Sequence, residues 1–222
     1  MFSRYAHEEA EQKCYGKRFR KKQALSLAAA LIDHTLQEAY GSNLPVLQFF
    51  TDQQQGDTFG ERFCEAIESG FNAGYQRLII CGTDTPDLKS EQFAAVALKL
   101  NTHQIVLGPS ADGGVYLIGI HQQAFDKNGF LQISWLTSSV CDQLIDYAHK
   151  KTCSLSLEAT AIDIDDNKAV WHCMAIPKNN WFVLFIRHLL QTPPVTYTFN
   201  RIYPICQLPL SSLSRRGPPQ VH

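Results

Sequence analysis

No two cysteines of this 222-residue sequence are spaced Cys-x-x-Cys. The seven present (Cys14, Cys64, Cys81, Cys141, Cys153, Cys173 and Cys206) are odd in number and scattered. That excludes a disulfide framework and a cysteine zinc site, and fits buried or idle thiols in a reducing cytoplasm. A surplus of one charge is also missing: 20 Lys and Arg stand against 21 Asp and Glu. General nucleic-acid binders carry a basic excess, so no nucleic-acid partner is expected. Long apolar runs are absent too. The longest strongly apolar stretch, from Trp181 to Ile186, falls far short of the roughly 20 residues a membrane span needs. The opening Met1-Phe2-Ser3-Arg4-Tyr5 leads into acidic residues rather than an apolar signal core. The expectation is a soluble, cytoplasmic protein with no membrane span.

What is present suffices for one sizeable core. Hydrophobic residues make up 45% of the chain and charged residues 18%, too apolar a balance for a disordered chain. Leu25, Ala28, Ala29, Ile32, Leu36 and Ala39 recur at helical spacing and predict an amphipathic helix over residues 22–40. Phe59, Phe63, Ile67, Gly70 and Phe71 predict a second helix, and Ser90 is placed to cap a third through Leu100. Val140, Cys141, Leu144, Ile145 and Ala148 predict a fourth. Short apolar runs at residues 46–50, 77–81, 104–107, 115–120 and 153–157 read as buried strands. Strands alternating with helices indicate βαβ units, with helices on both faces of a mainly parallel sheet. Asp112-Gly113-Gly114 between two apolar runs is a tight-turn signal, so one strand is expected to run against the others. The expected fold is an α/β three-layer sandwich around a mainly parallel, mixed sheet.

In open α/β sheets, ligands bind at the carboxyl ends of the strands. Gly82-Thr83-Asp84-Thr85-Pro86-Asp87-Leu88 follows such an end. Asp84 there suits a hard cation such as Mg²⁺ or Mn²⁺ bridging phosphates, or it caps a turn before Pro86. Gly108-Pro109-Ser110-Ala111-Asp112-Gly113-Gly114-Val115-Tyr116 offers backbone N–H groups to an anion, or forms a hairpin turn needing positive φ at Gly113. In Asp163-Ile164-Asp165-Asp166, alternation puts Asp163 and Asp165 on one side of an extended segment. Two such carboxylates repel unless a cation or basic group sits between them; a solvated acidic loop is the other reading.

Together these segments resemble a family of glycosyltransferase-A-like (GT-A, nucleotide-diphospho-sugar transferase-like) proteins associated with radical-SAM and selenium-domain proteins or with arsenosugar biosynthesis. More distantly they are similar to phospholactate and molybdenum-cofactor guanylyltransferases. Gly60-Glu61-Arg62-Phe63 resembles that family's Gly-Glu-Arg segment, Ser134-Trp135-Leu136-Thr137 its Pro-Trp-x-Thr, and Asp163-Ile164-Asp165 the start of its Asp-Val-Asp-Thr-Pro-Glu-Asp-Leu. The resemblance covers roughly residues 1–170. It implies Asp84 as metal-binding and catalytic carboxylate, Asp165 as the second metal ligand and Asp163 behind it. Asp112, as a further catalytic candidate, would shape the acceptor pocket with the Gly113-Gly114 backbone. Arg62 would face the nucleotide or its phosphates, or else form a salt bridge on its own helix; Thr83, Trp135 and Thr137 join the binding set, with Trp135 also readable as core or pocket wall.

Two departures stand out. The family's Pro-Gly-x-Val-Lys-Thr-Arg-Leu phosphate loop has no counterpart after the first strand, which itself looks clipped. Arg4, Lys13, Lys17 and Arg18 are the residues that could substitute, since Lys and Arg bind phosphate without a glycine cradle; a solvated helix start is the alternative. The Thr-Pro-Glu-Asp-Leu half of the last motif is replaced by Asp166-Asn167-Lys168-Ala169-Val170. Residues 1–170 are therefore expected to form the transferase-like domain. Residues 171–222 form an extension, partly helical and then proline-rich, with six of the ten prolines between Pro193 and Pro219. That extension could complete the sheet's flank, cover the pocket or mediate homo-oligomer formation. The expected activity is metal-dependent transfer from a nucleotide-activated sugar to a small-molecule acceptor. Two alternatives stay open: coupling a nucleoside triphosphate to a phosphorylated small molecule, and non-catalytic nucleotide binding.

Overall fold

The computed structural model describes residues 1–13, 19–175 and 181–191. Lys17, Arg18, Cys14, Cys206 and the proline-rich residues 192–222 lie outside the described residues. The elements run α1 (Ala6–Gln12), α2 (Lys21–Gly41), α3 (Phe59–Asn72), β1 (Arg77–Cys81), α4 (Ser90–Lys99) and β2 (Ile105–Pro109). They continue through β3 (Val115–His121), α5 (Lys127–Leu131), α6 (Val140–Lys150), β4 (Leu155–Leu157), α7 (Asn167–Ala175) and α8 (Trp181–Gln191). Among the described residues no helix is long and apolar enough to cross a membrane.

The sheet order is β1-β3-β2-β4. β3 pairs antiparallel with both β1 and β2, and β2 pairs parallel with β4. Three strands thus point one way and β3 opposes them, as the tight turn before Val115 requires. Period-two alternation divides the strand side chains between two faces. Ile105, Leu107, Ile118 and Ile120 meet Phe63, Ile67 and Phe71 of α3 and Leu144 and Ala148 of α6. Val106 and Leu117, from the same two strands, meet Ile32 and Leu36 of α2 and Phe93 and Val96 of α4. The result is the three-layer α/β sandwich expected from the sequence.

Several local expectations are corrected. Residues 46–50 form no strand: Phe49 makes a single bridge to Phe2, and Pro45 has no N–H to extend a ladder. Ser90 opens α4 from inside, its hydroxyl donating to Glu38 Oε2 at 2.7 Å, while Lys89 takes the cap position. Leu25 points to solvent, 42% exposed. The first half of α2 instead buries Ala24, Leu27 and Leu31 against Val170 and Cys173 of α7 and Phe182, Ile186 and Leu189 of α8. Residue 170 falls inside α7, and both C-terminal helices share this third apolar cluster with α2.

Candidate functional site

The carboxyl ends of β1, β2 and β4 converge on one side of the sheet, and backbone hydrogen bonds tie the loops beyond them together. Ala161 N donates to Pro109 O at 3.0 Å, and Ala111 N to Ala161 O at 2.9 Å, so the chain after β4 continues alongside the end of β2. Ile164 N then donates to Asp84 O at 2.8 Å. That one bond sets Asp163 and Asp165, on either side of a fully buried Ile164, beside the loop that leaves β1. On the other flank Phe2 N donates to Cys81 O at 3.0 Å, which places the first residues of the chain along the edge of β1. Phe2 also forms a single parallel bridge with Phe49.

The crevice so formed has a volume of about 890 Å³, within the range of small-molecule sites. Arg4, Lys13, Arg62, Thr83, Asp84, Asp112, Gly114, Trp135, Thr137, Asp163 and Asp165 line it; of the residues singled out in the sequence and described here, Gly113 alone does not. Among the described residues its charged lining, which includes Glu9, counts five carboxylates against three cations.

The acidic end is organised around one ammonium. Lys13 Nζ donates to Asp84 Oδ1, lies 3.3 Å from Asp165 Oδ1 and 3.5 Å from Glu9 Oε2. Its side chain is only 9% exposed, so the solvated-helix reading does not hold for Lys13. The basic group that two facing carboxylates need is supplied by the chain itself, though the pair it joins is Asp84 and Asp165 rather than Asp163 and Asp165. Lys13 caps the C-terminal end of α1, its N–H bonded to Glu9 O at 2.9 Å. Glu9 is buried; its Oε1 accepts from Arg4 N at 3.3 Å and lies 3.6 Å from Arg4 Nη1. Its Oε2 makes no hydrogen bond and lies within ion-pair distance of Lys13.

Asp163 sits deeper. Burial pushes its carboxyl up to about 6, against the hydroxyls of Ser110 and Thr85, which favour the ionised form. Thr85 Oγ1 donates to Asp163 Oδ1. Asp165 keeps 52% of its side-chain surface. Its carboxyl is also raised, by removal from water and by the Asp84 charge, while Lys13 opposes the rise.

Other predicted residues perform local duties as well. Thr83 is buried and shares a 3.1 Å hydrogen bond with the Ser3 hydroxyl, pinning the N-terminal segment to β1. Asp112 Oδ1 accepts from Gly114 N at 3.0 Å, closing its own turn. Gly113 has φ 90°, and a Cβ there would lie 2.0 Å from Ser138 O. Its N–H donates to Ser110 O at 3.1 Å, so the glycine is required by the turn and by the 137–139 loop, and its N–H is spent inside the turn. Arg62 Nη1 donates to Asp57 O at 3.0 Å and Gly56 O at 3.3 Å, which braces the loop before α3 at the crevice rim. Glu61 closes that helix's N-terminus by accepting from Asp57 N and Thr58 N while Thr58 Oγ1 accepts from Glu61 N. Thr137 Oγ1 donates to Ser134 O at 2.7 Å.

Trp135 joins two of the motifs. Its indole donates to Phe130 O at 2.9 Å and its ring packs on Phe59 and Phe63. The ring fills the space that a Cβ on Gly60 would occupy, 2.9 Å away. Trp135 is therefore a pocket wall continuous with the core. Glu9, Ser3, Thr85, Ser110 and Phe59 complete the site and were not singled out in the sequence. For Glu9 a signal existed: its spacing of four from Lys13 is that of a helical ion pair.

Among the described residues, no group of three or more His, Cys, Asp or Glu is arranged to hold a metal ion. Two carboxylate oxygens, from Asp84 and Asp165, do meet at one cationic centre. That donor set fits a magnesium-type ion whose remaining ligands are water and phosphate oxygens, and does not fit an all-protein cage.

Comparisons with known proteins agree with this architecture. The structure is similar to a "putative nucleotide-diphospho-sugar transferase" from Desulfovibrio desulfuricans G20, with TM-score 0.72 and 20% sequence identity over 85% of this chain and 94% of that one. At that identity the likeness establishes the GT-A-like fold. No curated protein matches the sequence. Residues 18–137, more than half of the chain, match one family profile, and the chain belongs to that family, described as "Uncharacterized protein conserved in bacteria (DUF2064)".

Proposed function

We propose that this protein is a glycosyltransferase-like enzyme that binds a nucleotide-activated sugar in the crevice at the ends of β1, β2 and β4. The observation that carries the reading is the make-up of that crevice: an acidic end built on Asp84 and Asp165, facing an apolar wall of Phe59, Val115 and Trp135. The donor's diphosphate belongs at the first and uncharged parts of the donor or acceptor at the second. With carboxylates in excess over cations, a diphosphate cannot approach the acidic end alone without strong repulsion. Mg²⁺ or Mn²⁺ held between Asp84 and Asp165 would neutralise the departing diphosphate. Asp163, hydrogen-bonded to Thr85, holds its loop against β1 behind those two ligands. Arg4 and Arg62 stand at the rim as phosphate-binding groups. Asp112, held by its own turn, borders the acceptor side of the crevice as a candidate acid–base group.

The test is thermal stabilisation by a panel of nucleotide sugars and nucleoside triphosphates, with and without Mn²⁺, followed by product analysis. A Mn²⁺-dependent rise in Tm with one nucleotide sugar, lost in Asp84→Asn, is the expected result. Release of a nucleoside diphosphate identifies glycosyl transfer. Release of pyrophosphate from a triphosphate would transfer the reading to nucleotidyl transfer. No metal-dependent shift with any nucleotide would overturn both.

A further inference from the structure

Lys13 stands where the proposed site needs a divalent cation. Its ammonium contacts Asp84 Oδ1 and lies 3.3 Å from Asp165 Oδ1, so half of the pair's charge is already balanced from within. A cation arriving at the same two oxygens must displace it, because two positive centres repel too strongly to share one contact distance. A displaced ammonium left among apolar groups would be costly. Here a second berth is built in. Glu9 Oε2 lies 3.5 Å from Nζ, is buried, and makes no hydrogen bond. A buried carboxylate oxygen without a hydrogen bond is unfavourable as it stands, and a small shift of Nζ toward it would satisfy both partners. Lys13 and Glu9 sit on adjacent turns at one end of α1, so the shift needs only side-chain rotation about the flexible lysine stem.

We propose that Lys13 is a resident counter-cation of the Asp84–Asp165 pair and yields its place to a divalent cation by moving onto the Glu9 carboxylate. The device keeps the carboxylates apart while the crevice is free of metal. It also makes cation binding weak until a phosphate-bearing ligand arrives, since the freed ammonium then has a phosphate within reach as well as Glu9. Cation and diphosphate therefore bind with positive coupling, each tightening the other by the same factor. This rests on the cation site proposed above and not on the donor's identity.

The test uses the full chain, with Mn²⁺ and inorganic pyrophosphate as probes, and reads free Mn²⁺ by electron paramagnetic resonance. Removing the competing charge in Lys13→Met should tighten Mn²⁺ binding by about tenfold to a hundredfold, the range of a charged hydrogen bond. Lys13→Arg, which keeps a cation, should bind Mn²⁺ about as weakly as the native protein. Glu9→Gln removes the second berth and should weaken Mn²⁺ binding in the native background but not in Lys13→Met. That non-additivity separates exchange from a purely structural effect of either substitution. The factor by which pyrophosphate tightens Mn²⁺ should shrink in Lys13→Met. Unchanged or weaker Mn²⁺ binding in Lys13→Met, or tighter binding that survives Asp84→Asn, would overturn the proposal. Tighter, Asp84-dependent binding in a protein that no nucleotide stabilises would leave the exchange standing and remove the transferase reading instead.

Discussion

Replacing Asp163 by Asn should stabilise this protein at alkaline pH. The Asp163 carboxyl is raised from 3.8 to about 6 in the folded chain, chiefly by burial, although Ser110 and Thr85 favour its ionised form. A rise of that size corresponds to about 3 kcal/mol at 1.36 kcal/mol per unit, and solvent reaching the open crevice reduces this to about 1–3 kcal/mol. The folded state holds the proton more tightly than the unfolded chain. Asp163 therefore favours folding below about pH 4 relative to alkaline solution. That contribution is lost as pH rises to about 6, and above it the ionised carboxylate is a net cost. Asn carries no charge at any of these pH values, and its amide oxygen still accepts from Thr85 Oγ1. The difference between Asp163→Asn and the native protein should be small at about pH 3.5 and reach about 1–3 kcal/mol in favour of the variant at pH 8. Urea denaturation at both pH values, with a chelator present, measures it. Equal destabilisation at both, or a larger loss at pH 8, would refute the reasoning by showing that the folded state favours the ionised carboxylate.

Two further outcomes test the architecture. Phe182 on α8 is fully buried against α2, so Phe182→Ala should cost about 3–5 kcal/mol and lower the midpoint of the whole cooperative urea transition. An unchanged main transition would make α8 an appendage instead of part of the body. Gly113→Ala would force a Cβ to within 2.0 Å of Ser138 O at a φ of 90°, and should cost about 3 kcal/mol or more through backbone strain and clash. A loss below about 1 kcal/mol in the same assay would mean that the turn and the 137–139 loop separate easily.

The amino-acid pattern by itself determined the layers. Alternating apolar residues in 105–107 and 115–120 specify two buried faces, and period-3.6 faces specify the helices that cover them, because both signals are local repeats of the backbone. Gly113 was legible for the same reason: a tight turn between two strands demands positive φ, a property of one residue. What only tertiary structure decided is which distant groups meet. The bond from Ile164 N to Asp84 O joins residues 80 apart and thereby brings Asp165 to Asp84. Nothing in either motif states that pairing. Lys13 stood among six basic residues between positions 13 and 22, and a charge run in sequence looks alike whether it is solvated or inserted. Its place between two carboxylates depends on the residues before α1 lying along the edge of β1, held by the Phe2–Cys81 and Ser3–Thr83 hydrogen bonds. Leu25 shares the helical spacing of its apolar neighbours yet faces solvent, because α2 buries different faces along its length, one toward the sheet and one toward α8. Periodicity encodes that a face is apolar; the partner of that face, and the charge neutralised at the end of a strand, follow from packing between segments remote in the chain.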